Sequence, residues 1–354
     1  MLLKRLFLPV IIFAVLPAFL MAGGNSETAA AGDSSAEISG SSVVVTDYTG
    51  KEVSIRQPVE RVVSLNSGLS EILGALECGD KMVGRDNFST FPSSLKYIQS
   101  VARNSSSPNM EMLLSLEPDL VVADLMFDKS KREILENRGI PVLIESTSNP
   151  DRLPLIVDNF ARIFDKQERA GLVMGILNST LSEVESKIRS LEERGIPKPL
   201  VFFENRKVYK SANSSTGHHQ NIVLAGGINI AADEPVSSPR LNPEYIVEMN
   251  PDVIIRRVSG DIDADAMELM LRSIYERPSL QSVKAIQEKR VYIVKSDLFI
   301  SLRYPVGVAY LSRLFYGDEL SDFDVDGLFQ DYITELYGPD EWKHIRETYV
   351  FPDE

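Results

Sequence analysis

The sequence predicts an α/β protein of two lobes with mainly parallel sheets, joined by one long rigid helix. Three observations carry this expectation. Short β-branched runs alternate with helical patterns in two separate stretches, an order that implies parallel pairing. Between the stretches, Gln167 to Arg194 contains no proline and spaces Val173, Leu177, Leu181, Val184, Ile188 and Leu191 by threes and fours, so one helix face is apolar. Finally, Glu111 to Val122 matches Glu244 to Ile255 with a constant displacement of 133 residues, as expected if one lobe echoes the other.

The elements follow in order. Met1 to Ala22 carries Lys4 and Arg5, an uncharged apolar run and a small-residue exit, the layout of a secretory signal. Leu20 to Gly23 also resembles a lipoprotein cleavage box, but Gly23 stands where that box requires cysteine, which argues against a lipid anchor. Residues 23–42 are rich in Ser, Ala, Gly and Glu and read as a flexible tether. The N-terminal lobe, 43–166, alternates strands (Val62–Leu65, Met82–Val83, Leu120–Ala123, Val142–Ile144) with helices at Leu69–Leu76, Met110–Leu116 and Lys129–Arg138. The linker helix takes 167–195. The C-terminal lobe, 196–312, repeats the order: a strand at Leu200–Phe203, helices at His218–Leu224 and Glu244–Met249, a strand at Val253–Ile255, a helix at Leu280–Gln287 and a strand at Val291–Val294. Residues 313–354 form a helical tail. Both lobes are therefore expected to be Rossmann-like.

Within the repeat, each position has a chemical reason. Asn109 and Asn242 suit helix N-caps, and Glu111 and Glu244 then fall in the first turn beside the positive end of the dipole. Pro118-Asp119 and Pro251-Asp252 stop the helices before the next strand.

Composition excludes several function classes. The net charge is −14, and −16 without Lys4 and Arg5, which speaks against a nucleic-acid partner. One cysteine, Cys78, and three histidines leave no disulfide scaffold and no zinc site of several imidazoles. The chain lacks G-x-G-x-x-G after its first strand, G-x-x-x-x-G-K-[ST], G-x-S-x-G and H-E-x-x-H. No catalytic residues are assigned. A secreted α/β enzyme with an unrecognised site stays as the alternative of another class.

Several stretches together resemble one family. They are Arg61 to Leu73, Gly79-Asp-Lys-Met-Val-Gly84, Asn109-Met-Glu111 through Val122, Ala225-Gly-Gly-Ile-Asn229, Asn250 to Ile255, Tyr316-Gly-Asp-Glu-Leu and Phe329-Gln-Asp-Tyr332. Their order and spacing over roughly residues 43–338 resemble the helix-linked (class III) periplasmic substrate-binding proteins, which feed ABC importers for iron-siderophores, heme, cobalamin and, in some members, molybdate. The resemblance implies an extracytoplasmic protein of the periplasm or cell surface, peripheral to the membrane. Its partners would be a permease dimer with its ATPase and a small metal chelate. It implies no cofactor of the protein's own, any iron arriving with the ligand. It also implies that Glu111 and Glu244 pair with permease arginines, beside their plainer role of stabilising helix starts.

Turns leaving the carboxyl ends of the strands should line a groove between the lobes. They offer Asn66, Ser67, Phe88, Arg103, Phe127, Arg240, Arg256 with its neighbour Arg257, Arg303 and Tyr304 as ligand-binding candidates. Guanidinium forks suit carboxylates, oxyanions and chelate charge. His218 and His219 open a helix, where one imidazole could ligate heme iron; Tyr209, Tyr292 and Tyr304 are alternative oxygen ligands or stacking surfaces. A siderophore-type iron chelate is the first expectation, with heme, a corrinoid, or molybdate or tungstate as alternatives.

Overall fold

The computed structural model describes residues 41–260, 262–345 and 349–352; the expected signal and nearly all of the tether lie outside the described residues. The N-terminal lobe opens on an antiparallel hairpin, β1 (Ser42–Thr46) and β2 (Glu52–Arg56). A parallel sheet follows, made of β3 (Val62–Ser64), β4 (Met82–Asp86), β5 (Ser100–Ala102), β6 (Leu120–Ala123) and β7 (Val142–Ile144), in the order β5-β4-β3-β6-β7. Its helices are α1 (Ser67–Ala75), α2 (Met110–Ser115), α3 (Lys129–Glu136) and α4 (Leu153–Phe164). The strands are buried on both faces, which is why they read as continuous β-branched runs rather than alternating ones.

The linker is α5 (Gln167–Glu193), a helix of 27 residues and hence about 40 Å long. It buries Val173, Leu177, Val184, Ile188 and Leu191 as expected, but Thr180 replaces Leu181 as the fully covered residue of its turn. Thr180 manages this by donating its hydroxyl to the Ile176 carbonyl at 3.1 Å.

The C-terminal lobe contains β8 (Leu200–Asn205), α6 (Gly217–Leu224), β9 (Ile228–Asn229), α7 (Pro243–Met249), β10 (Val253–Val258), α8 (Ala264–Tyr275), α9 (Lys284–Gln287) and β11 (Val291–Lys295). Then come α10 (Tyr304–Tyr316), α11 (Val325–Tyr337), α12 (Trp342–Ile345) and β12 (Val350–Phe351). The sheet order is β12-β11-β10-β8-β9, parallel except for β12.

Three expectations change. The expected helix Leu280–Gln287 is a turn at Pro278–Leu280 followed by the short α9, because Pro278 begins a separate turn. The tail is not purely helical: α10 begins at Tyr304, before residue 313, and Val350–Phe351 closes the C-terminal sheet as an antiparallel edge strand. The hairpin and helices α4 and α8 add to the sequence reading.

The 133-residue repeat is structural. Asn109 Oδ1 accepts from the Met112 N–H at 3.1 Å, and Asn242 Oδ1 from the Glu244 N–H at 3.3 Å. Both helices end on a left-handed residue, Glu117 at φ 45° and Asn250 at φ 46°. The following aspartates fasten the neighbouring strand: Asp119 Oδ2 accepts from the N–H groups of Glu60 and Arg61, and Asp252 Oδ2 from that of Leu200. Each lobe thus ties its first sheet strand to its repeat strand by the same carboxylate.

One continuous apolar cluster includes Val62 and Leu69 of the first lobe, Val173 and Leu177 of α5, Phe203 and Ile255 of the second, and Leu311 and Phe329 from α10 and α11. The lobes therefore share a core, and each keeps a further cluster on its outer sheet face.

Candidate functional site: the groove between the lobes

In open α/β sheets the ligand crevice lies outside the carboxyl ends of the strands, and at that end of this chain the loops after β3, β7 and β11 meet, which marks the candidate groove. Its floor is a cross-lobe joint. Ser301, in left-handed backbone at φ 55°, donates its N–H to the Thr147 carbonyl at 2.8 Å and its hydroxyl to the Gly68 carbonyl at 2.7 Å. The approach is so close that a Cβ on Gly68 would sit 2.4 Å from Thr147 Oγ1, and one on Gly217 would sit 2.0 Å from the Ser148 carbonyl oxygen. Behind the floor, Arg303 Nε meets Glu71 Oε1 at 3.1 Å, and Tyr337 donates to the same oxygen at 3.3 Å. Burial opposes the charge on Arg303, yet the Glu71 carboxylate holds it protonated.

On the N-terminal wall, Asn66 caps α1 through the Leu69 N–H at 3.1 Å and donates Nδ2 to Asp124 Oδ2 at 3.0 Å, while Ser67 is half-buried in the first turn. Asp86 accepts from the N–H and hydroxyl of Ser89, and a hydroxyl chain runs on through Ser70 to Ser64. Desolvation raises the Asp86 pKa, an effect the Ser89 hydrogen bonds oppose. Outside these satisfied polar groups, Phe88, Leu125 and Met126 stand 54%, 55% and 56% exposed at the ends of β4 and β6. These three side chains give this wall an apolar patch. Arg103 is exposed on the same side, with no hydrogen bond or ion pair among the described residues.

The C-terminal wall differs. Strand β10 sends Arg256 and Arg257 to opposite faces. Arg256 is in register with Glu204 and bonds its Oε2 at 2.8 Å, and Arg277 holds both oxygens of the same carboxylate at 2.6 and 2.9 Å. Arg257, opposite Asn205, forms no ion pair among the described residues, and the Asp297 carboxylate acts on it only at longer range. Its Nη1 donates to Asn205 Oδ1 at 3.0 Å, while its Nε is buried without a partner, as is Ser259 Oγ two residues on along the same face. Desolvation, with the like charge of Arg206 beside it, pushes the Arg257 pKa down to about 10.

His218 lies near this guanidinium, its ring 5.0 Å from that of Phe203 and 6.5 Å from that of Phe299. Desolvation first, then Arg257 and Arg206, push its pKa down to about 3, so it is neutral at pH 7. The next residue, His219, turns toward Asn229, with Nδ1 3.4 Å from the amide nitrogen, as adjacent helix positions require.

Not every sequence candidate reaches the groove surface. Arg303 is a buried structural cation, corrected by its Glu71 partner, and Arg256 is likewise spent on Glu204. Phe127 is covered in the outer apolar cluster of its lobe, and Tyr304 is buried in the shared core. Arg240 is exposed, its backbone bridged to Lys210. Glu111 and Glu244 are both exposed on their lobes, and neither carboxylate has a bonded partner among the described residues. No cluster of three metal-ligating carboxylate, imidazole or thiol groups occurs among the described residues.

A model of the periplasmic binding protein family matches residues 62–298. The chain belongs to this family, in its helix-linked class, a family of transporter binding proteins rather than of enzymes. It is 24% identical over 294 residues to the ABC transporter substrate-binding lipoprotein YvrC of Bacillus subtilis, covering 79% of this chain and 87% of that one. A vitamin B12-binding protein of Yersinia pestis is 27% identical over 208 residues, 58% of this chain and 71% of the relative. Among solved structures, the molybdate periplasmic binding protein MolA of Haemophilus influenzae superposes with a TM-score of 0.68 at 17% identity, covering 83% of this chain and 98% of that one. Among the described residues, no helix is long and apolar enough to cross a membrane.

Proposed function

We propose that this chain is the extracytoplasmic solute-binding component of an ABC importer and captures a siderophore-type iron chelate in the interlobe groove. The observation that carries the reading is the pairing of two unlike walls. Phe88, Leu125 and Met126 stand exposed at strand ends of one lobe, and Arg257 offers an incompletely bonded guanidinium at a strand end of the other. A chelate with aromatic or apolar arms and anionic metal-binding groups uses both. Glu111 and Glu244 dock the permease, one carboxylate per lobe, and leave the groove untouched.

Heme is the second reading, favoured by one feature: His218 is a neutral imidazole packed at a tilt against Phe203. Native mass spectrometry with metal analysis of protein purified from its own host decides between them. A retained ferric chelate supports the proposal. Retained heme with a Soret shift lost in His218→Ala overturns it, as does retention of a corrinoid or of molybdate alone.

A further inference from the structure

We propose that the groove admits an amphiphilic anion in one orientation, its anionic groups held at Arg257 and guided there by a strip of cations on the C-terminal rim, its apolar body on Phe88 and Met126. This rests on the solute-binding reading above and adds the charge and direction of the ligand.

The cations come from two segments that meet at a single bridge. Arg206, Lys207 and Lys210 leave the end of β8, and Arg240 faces Lys210 across the Lys210–Arg240 backbone pair. Within 204–210 the one carboxylate, Glu204, is fully buried and already shared by Arg256 and Arg277. None of the four side chains has an ion-pair partner among the described residues. In a chain of net charge −14, the surrounding field repels an anion, so a local positive strip selects the side from which one arrives.

The strip leads inward to Arg257. A guanidinium has five N–H donors, and among the described residues only the Nη1 of Arg257 has a bonded partner. The buried Nε and the neighbouring Ser259 hydroxyl are left unsatisfied, a cost that an anion or its bound water on this face removes. The carboxylates of the facing wall cannot serve as a competing anion. Asp86 is bonded to Ser89, and Asp124 accepts from Asn66 and from the Met126 N–H.

The test uses two ferric probes of similar size, a trianionic tricatecholate and a neutral trihydroxamate, with stopped-flow and equilibrium titration. The wild-type protein should prefer the trianion. Arg257→Met should weaken it about 100-fold and the neutral probe less than about twofold, and Arg257→Lys should recover most of the loss. Arg206→Gln with Lys207→Gln should slow association of the trianion about tenfold at low salt and flatten its salt dependence, leaving dissociation unchanged. Equal binding of both probes, or equal loss of both in Arg257→Met with a normal melting curve, overturns the proposal. If neither ferric probe binds, the iron-chelate reading fails by itself. The orientation claim is then decided by hemin, whose propionates are anionic, against cyanocobalamin, which carries no net charge: binding of cyanocobalamin alone overturns it.

Discussion

The two groove walls are built from the same repeat and end in opposite chemistry. Both lobes cap their repeat helix with asparagine, end it on a left-handed residue and tie the sheet with the Pro-Asp aspartate. Beyond that shared frame the N-terminal wall bonds its buried Asp86 internally and exposes Phe88 and Met126 beside Arg103, whereas the C-terminal wall leaves the buried Arg257 incompletely bonded. Satisfied polar groups specify structure; an unsatisfied one near an opening is available to a ligand. Arg256 and Arg257 make the contrast within one strand, since Glu204 is ion-paired with the first, whereas the second has no ion pair among the described residues and feels Asp297 only at longer range.

This contrast can be broken at several points. The largest effect is expected for Glu204→Ala, which strands Arg256 and Arg277 together and should cost about 3 kcal/mol in urea unfolding. A loss below about 0.5 kcal/mol would mean that the pair does not set the wall. His218 comes next. Its folded pKa of about 3 lies below the ordinary 6.5, so the neutral form is favoured by folding. Its contribution is present above pH 6.5 and is lost as the pH falls from there toward 3. His218→Gln should therefore flatten the acid limb of stability, by about 2 kcal/mol near roughly pH 5; an unchanged limb contradicts the packing described for this ring.

Arg257→Met should raise stability by about 1 kcal/mol while removing anion affinity, because it deletes a desolvated, partly unbonded cation. A loss of that size instead would assign Arg257 to structure. The smallest change is expected at Phe88→Ser, within about 0.5 kcal/mol of wild type in thermal melts, since the ring is already exposed. Its effect should appear in affinity, equally for charged and neutral ligands with the same apolar arms.

Much of the frame was legible in the sequence because it is local. The β-branched runs, the proline-free amphipathic segment and the 133-residue repeat each depend on spacing along the chain. The groove was legible only in outline. Strand ends could be listed, but which arginine stays unpaired depends on register: Arg256 falls opposite Glu204 and Arg257 opposite Asn205. The partner of Arg303 is Glu71, 232 residues away, and no local pattern announces it. One signal was available. Adjacent arginines on a strand must face opposite sides, so a single nearby glutamate can serve only one face. The edge strand at Val350–Phe351 was missed because it pairs with β11 across the whole tail.

The two walls are expected to receive different ends of one ligand. A crystal structure of the protein purified with its own ligand tests this most directly. The expected result is an anionic group within hydrogen-bond distance of the Arg257 guanidinium and an apolar portion against Phe88 and Met126. A ligand whose charged groups face the N-terminal wall, or one that leaves Arg257 without an anionic or water-bridged partner, would contradict it.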